Sequence, residues 1–422
     1  MNNYNSTERK IALYFSKYPL IKEIAKRFYQ LISYFLNKAG DKPPFTCIYT
    51  CKKVSNVTLE SFFGYYDKSP SNNSNTKVIF HSSQYPTSKI PAINKPVTIC
   101  LKDIKTDQTL VVEKTSAYNW QQGSRLQWLD DDRFIFNYFD FTGQKYVSKL
   151  YSVMNENSIV IPYPVYDCFN NTAISIDFER LYQLNPDYGY KPFTPKKITF
   201  NITNDGVFLI DLLNGNIKLL LSYSDVLDTH SKPTMKNAIH KINHLMFSPD
   251  GCSFVFLHRW YHNKMKYDAL MYYNLKSGKC TCLSDDDMVS HCCWKDNHTL
   301  ICWLRKKHEG DKYYFVSTND NSRTEIDCKI NLFGDGHPTV SMNLLLFDSY
   351  PDKARMKKLN IYNMENRQLI DIGLFFEPLK YYGVTRCDLH PKWSKNGKTI
   401  FVDSVHEGKR QLYELEITNE FN

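Results

Sequence analysis

The chain changes its hydrophobic period once. Over "YPLIKEIAKRFYQLISYFLNKAG" (18–40) the apolar residues Leu20, Ile21, Ile24, Phe28, Leu31, Ile32 and Phe35 follow i, i+3, i+4, i+7 spacing, which predicts an amphipathic helix. Pro19 suits a first turn and Gly40 a C-cap, while Lys22, Lys26 and Arg27 lie off the apolar stripe. Such a helix ordinarily packs on the main body. The second reading is a basic amphipathic helix in peripheral contact with a membrane. After "KPPF" (42–45) the helical period vanishes, and short β-like runs alternate with turn signals to the end.

Those runs repeat. "HLMFSPDGCSFVFLHRW" begins at His244, "HCCWKDNHTLICWLR" at His291, "HPTVSMNLLLFDSY" at His337 and "HPKWSKNGKTIFVDSV" at His390. Each gives His, two residues, an apolar anchor, a short polar turn and an apolar strand, and a further strand follows every time. The histidines recur 46 to 53 residues apart, the length of one four-stranded blade of a β-propeller. Upstream, "RLQWLDDDRFIFNYF" from Arg125, "YDCFNNTAISIDF" from Tyr166 and "YYDKSPSNNSNTKVIFHSS" fit the same template more loosely. Together they predict an all-β fold: a seven-bladed propeller over 45–422, preceded by a helical segment over 1–44. The irregular stretches 45–60 and 166–220 leave six or eight blades open.

Composition narrows the classes. A hydrophobic share of 42% with 30 Tyr and 26 Phe excludes a disordered chain and suits half-buried strands. The net charge of +9 comes from Lys and Arg scattered among carboxylates, with no basic stripe beside the aromatics, so nucleic acid is not an expected partner. Twelve cysteines without zinc-ribbon spacing, and no apolar leader at the start, predict reduced thiols and a cytoplasmic protein. Glycine loops for phosphate, a nucleophile elbow and a His-Glu-x-x-His helix are all missing. "SDDDM" (284–288) reads as a solvated acidic turn before a cation site. "WQQG" (120–123) and "GYYDKSP" (64–70) suit sugar stacking and blade closure equally.

The chemistry lies in the register. Equivalent positions of successive blades form a ring around one axis, so His244, His291, His337 and His390, with Arg125 and Tyr166 at the same place upstream, converge without a local motif. Such a ring binds an anion, a metal, or both. Its bland counterpart is a set of hydrogen-bonding posts inside the blades. "GDGHP" (334–338) and "RCDLHP" (386–391) each put an Asp near the His, as a metal site or a general base requires. His258, Arg259 and His406, at strand ends, read as rim contacts.

The run from "HLMFSPDG" to "HPKWSKNGKTIFVDSVHEG" resembles the oligogalacturonate lyase-like propellers, well over the last 180 residues and loosely before them. The whole chain, with "NWQQGSRLQWL", "GYYDKSP" and "MVSHCCWKD", resembles more closely a group of uncharacterised propellers expected in bacterial surface-polysaccharide gene clusters. The lyase resemblance implies a divalent cation, manganese or zinc, and β-elimination on uronic-acid saccharides. It implies His244 as base and His291 and His390 as cation ligands, to which Asp388 and His337 are added. Where that family carries a Gln-x-x-His-x-His arrangement, this chain has Asp388 and a single His. Arg125 or Arg259 would meet the substrate carboxylate and Tyr166 would supply the acid. The competing expectation is a glycan-binding or scaffold propeller without catalysis.

Overall fold

The computed structural model describes residues 19–38, 45–55, 59–194, 201–263 and 265–418, so the Gly40 stop signal lies outside it. Seven antiparallel sheets form a seven-bladed propeller, with blades over 60–115, 127–161, 167–222, 239–284, 289–325, 339–376 and 392–416. The bulky anchors fill the spaces between neighbouring sheets. Trp294 of blade 5 packs with Val255 and Leu257 of blade 4, and Trp393 of blade 7 with Leu346 and Ile361 of blade 6. Each such side chain contributes about 1.5–3 kcal/mol of burial.

The irregular stretches have physical explanations. Residues 45–55 supply edges to sheets made at the other end of the chain. Thr46–Cys47 pairs with Gln368–Phe376 as a fifth strand of blade 6, and Cys51–Lys53 pairs with Gln411–Glu416 as the outer strand of blade 7. Blade 3 is interrupted between its second and third strands by an insertion containing α2 (Phe178–Leu184), whose first turn is capped by the Asp177 side chain accepting from the Arg180 N–H.

Inner strands break their own alternation where the ring residues sit. A regular strand sends successive side chains to opposite faces of its blade. Arg125, His244 and His390 instead adopt φ of 53°, 55° and 43°. Register slips between Asn243 and Met246 and between Val289 and Cys292. These bulges re-aim a side chain at a cost of order 1–3 kcal/mol per strained residue.

The helix α1 (Pro19–Asn37) forms as its period requires, but it docks by the other side. Arg27 donates to the Leu379 carbonyl and lies over the Tyr382 ring, Tyr34 meets Phe376, and Ser33 is buried. Ile24, Phe28 and Leu36, at 71%, 64% and 79% exposure, face solvent together with Ile32 and Phe35. The helix thus packs on the body, one of its two readings, but through residues off the described apolar stripe. Among the described residues no helix is long and apolar enough to cross a membrane.

Candidate active site in the propeller channel

A tyrosine occupies the centre of the histidine ring. Between the two inner-strand segments of blade 1, residues 63–69 swing into the channel and place the Tyr65 ring 5.3, 6.5, 6.3 and 5.0 Å from those of His244, His291, His337 and His390. The backbone N–H groups of Phe63 and Gly64 donate to Asp403 and hold the loop. Gly64 has φ of 118°, and a Cβ there would come 2.7 Å from the Gln122 backbone carbon, so only glycine fits. Tyr65 Oη lies 2.8 Å from His244 Nδ1. Tyr66, beside it, donates to the Cys292 carbonyl.

The four imidazoles share a place but not a charge state. Burial first, then Arg259 and His291, hold His244 well below the ordinary imidazole range, so it is neutral at pH 7. His390 is held down by burial and by His337 and Lys392, and His291 by burial that Asp335 only partly offsets. His337 goes the other way. Burial disfavours its charge, but Asp348, with Asp388 and Asp335 behind it, raises its pKa.

Two of these imidazoles, with a neighbouring carboxylate, suit a metal. One donor atom from each of His337, Asp388 and His390 lies within 4.8 Å of the other two. His337 Nδ1 is 2.9 Å from Asp348, which also accepts the His337 backbone N–H at 2.7 Å. This carboxylate orients the ring and leaves Nε2 for a ligand. The Nε2 atoms of His337 and His390 are both buried without a hydrogen-bond partner among the described residues. Burial would raise the Asp388 pKa, but Arg386 and His337 together hold it below the usual carboxylate range. Two imidazoles and a carboxylate are a donor set for manganese or zinc, so the residues fit the divalent ion expected from the sequence. His291, expected with them, lies outside this triad. Its ring is 4.3 Å from that of His337, and its Nδ1 is 3.0 Å from Asp335.

Arg125 and Tyr166 are brought to the channel wall, where both are already engaged. The Arg125 guanidinium donates to both Asp67 oxygens at 3.2 and 2.8 Å and to the Tyr166 carbonyl, and lies 4.4 Å over the Tyr166 ring. The Tyr166 hydroxyl accepts from Gln122 and from the His244 backbone N–H. The pair therefore positions the Tyr65 loop and His244. His258, expected at the rim, is fully buried inside blade 4 against His240.

Positive charge gathers instead on blade 4. Lys241, Arg259 and Asp268 are cross-strand neighbours, and Lys266 lies 3.0 Å from Asp268. One carboxylate faces three cations. Burial, Arg259 and Lys266 push Lys241 down to about 7, and its ammonium donates to Asn185. The excess of positive charge in this row favours an anion beside it. An acidic ligand is expected to bind more weakly as pH rises through 7 and above, since Lys241 loses its proton there. Isothermal titration across pH 6–9 checks it, and Lys241→Met should flatten the profile.

Above the ring the mouth is closed. Arg386 pairs with Asp187 of the blade 3 insertion and with Asp388, and its guanidinium also reaches the Tyr188 hydroxyl. Tyr188 and Tyr350 lie against His244 and His337 respectively. The sequence points to Tyr65 for sugar stacking or blade closure and to Asp335 as the carboxylate beside His337, whereas Asp335 pairs with His291; it does not single out Lys241, Tyr188 or Asp348. Lys241 carried a signal, three residues before a ring histidine. The others sit on loops or strand ends that share no register with the repeat.

Fold and channel together define a seven-bladed propeller with a histidine-lined axis. Among solved structures, the chain is similar to an oligogalacturonate lyase in complex with manganese, with 15% identity, a TM-score of 0.61, and 90% of this chain and 99% of that one covered. It is similar also to the oligogalacturonate lyase of Vibrio parahaemolyticus, at 12% identity and a TM-score of 0.62, with 90% and 98% covered. At such identities the likeness establishes the fold. No family model and no curated protein matches the chain.

Proposed function

We propose that the chain is a metal-assisted lyase acting by β-elimination on uronic-acid-containing oligosaccharides or polysaccharides. The observation that carries this reading is the convergence in one channel of a neutral His244 touching Tyr65 with the His337, Asp388 and His390 triad. The cation row on blade 4 adds an anion-binding surface. A divalent ion bound to the triad would neutralise a uronate carboxylate and make the C5 proton more acidic. Arg259 and Lys241 bind the same carboxylate, in place of Arg125, which Asp67 neutralises. In the tautomer whose Nδ1–H points to Tyr65 Oη, His244 takes the C5 proton at Nε2. Tyr65, whose pKa burial and the neighbouring tyrosines raise well above its ordinary value, keeps its proton at pH 7 and gives it to the departing O4 oxygen. Closure by Arg386, Asp187 and Tyr188 excludes water. Entry requires that latch to open.

The test is incubation of metal-loaded protein with uronate oligosaccharides while the absorbance of unsaturated products is followed. Turnover by the wild type, with Tyr65→Phe slower by about 10²–10⁴-fold and unchanged in fold by circular dichroism, is expected. No product from any uronate substrate sinks the reading.

One observation favours the second reading, a glycan-binding or scaffold propeller at a membrane. It is the apolar stripe that α1 turns outward. We take the protein as cytoplasmic, its twelve cysteines all free, and α1 as its contact with the inner membrane face. Because the stripe is exposed, Phe28→Ser with Phe35→Ser should change stability by less than about 0.5 kcal/mol per site. The same variant should no longer sediment with anionic vesicles that pull down the wild type. A large loss of stability would mean that the stripe is buried.

A further inference from the structure

A second group of metal-type ligands lies at the outer edge of blade 4, away from the channel. His230 follows α3 (Tyr223–Thr229) as its C-cap, Cys282 is on the outer strand Lys279–Ser284, and Asp285 comes just after that strand. One donor atom of each lies within 4.8 Å of the other two. His230 Nε2 is 3.0 Å from Asp285 Oδ2, while His230 Nδ1 is buried with no hydrogen-bond partner among the described residues. Cys280 is on the same face of the strand, two residues before Cys282. The group is half-buried, open enough for an ion to enter.

We propose that His230, Cys282 and Asp285 form a binding site for a zinc-type ion that clips α3 to the outer strand of blade 4. A thiolate, an imidazole and a carboxylate are the ligands of a borderline-soft cation. The sulfur sets this group apart from the channel triad, whose oxygen and nitrogen donors also suit manganese. Binding releases the Cys282 proton to solvent, so two anionic ligands balance the divalent charge. Lys232 now holds Asp285 Oδ2 at 3.0 Å, and on metal binding it yields that oxygen and keeps Asp287, whose carboxylate is 3.7 Å away. The acidic turn "SDDDM" thus contributes its first Asp as a ligand and its third as the resting place of the displaced ammonium.

Cobalt(II) distinguishes the two sites. Titration of the purified full chain should give a near-ultraviolet sulfur-to-cobalt charge-transfer band. The band should persist in the channel variant His337→Ala with His390→Ala, which has lost the other site, and vanish in Cys282→Ser and in His230→Gln. In the wild type, zinc should slow alkylation of Cys282, read by mass spectrometry, on the order of tenfold. This measurement needs no variant to fold. A charge-transfer band that survives Cys282→Ser overturns the proposal. So does alkylation of Cys282 at an unchanged rate under saturating zinc. Neither result bears on the lyase reading, since the channel holds no thiol ligand.

Discussion

Replacing His337 and His390 together with alanine is expected to remove stoichiometric manganese or zinc binding from the channel and to cut elimination on the order of a thousandfold or more. The argument is local. Both Nε2 atoms are buried without a hydrogen-bond partner among the described residues, so the hydrogen bond forfeited is the one between His337 Nδ1 and Asp348. Asp348 would keep the two backbone N–H groups of residues 337 and 390, at 2.7 and 3.3 Å, and so would not be left bare. The fold should therefore survive, by circular dichroism and melting, while metal analysis and product absorbance both fall. Asp348→Asn should be gentler. It spoils the orientation of His337 and should weaken metal affinity by about 10–100-fold. If the double variant retains full metal content at the channel, the triad is not the site.

Arg125→Ala is expected to destabilise the protein by about 3–5 kcal/mol, the largest single stability effect predicted here. It leaves Asp67 buried, with Lys68 3.8 Å away as its remaining cationic neighbour among the described residues. It also removes the guanidinium that stacks on Tyr166 and ties the Tyr65 loop to blade 3. Adding Asp67→Ala should recover part of the loss, because an unpaired buried charge costs more than a missing pair. Urea unfolding of wild type, single and double variants checks both statements. A loss below about 1 kcal/mol would mean that the pair does not hold the loop.

The repeat was legible because each blade restates one phrase, His, two residues, anchor and turn, at nearly constant spacing. His244, His291, His337 and His390 are therefore placed at one level by spacing alone. Their meeting was visible but their division of labour was not. That depends on Asp348 and Asp335, which reach neighbouring imidazoles from a strand end and a loop. Tyr65 stayed hidden because it enters the channel through the glycine-permitted loop at Gly64, which breaks the inner strand of blade 1. The docking face of α1 was not legible for a different reason. Periodicity identifies an apolar face but does not say what covers it, and Arg27, Ser33 and Tyr34 turned out to be the contacts.

Closure of the ring sets an order of events during synthesis. Blade 7 is incomplete until Cys51–Lys53 meets Gln411–Glu416, and Gln411 reaches back 352 residues to the Leu59 carbonyl. The emerging chain must keep Cys51–Lys53 unpaired until Gln411–Glu416 has been made. The cysteines at 47 and 51 and the edges beside them are then exposed to other nascent chains. A ring so closed resists fraying once formed, because neither Cys51–Lys53 nor Gln411–Glu416 can leave without opening blade 7.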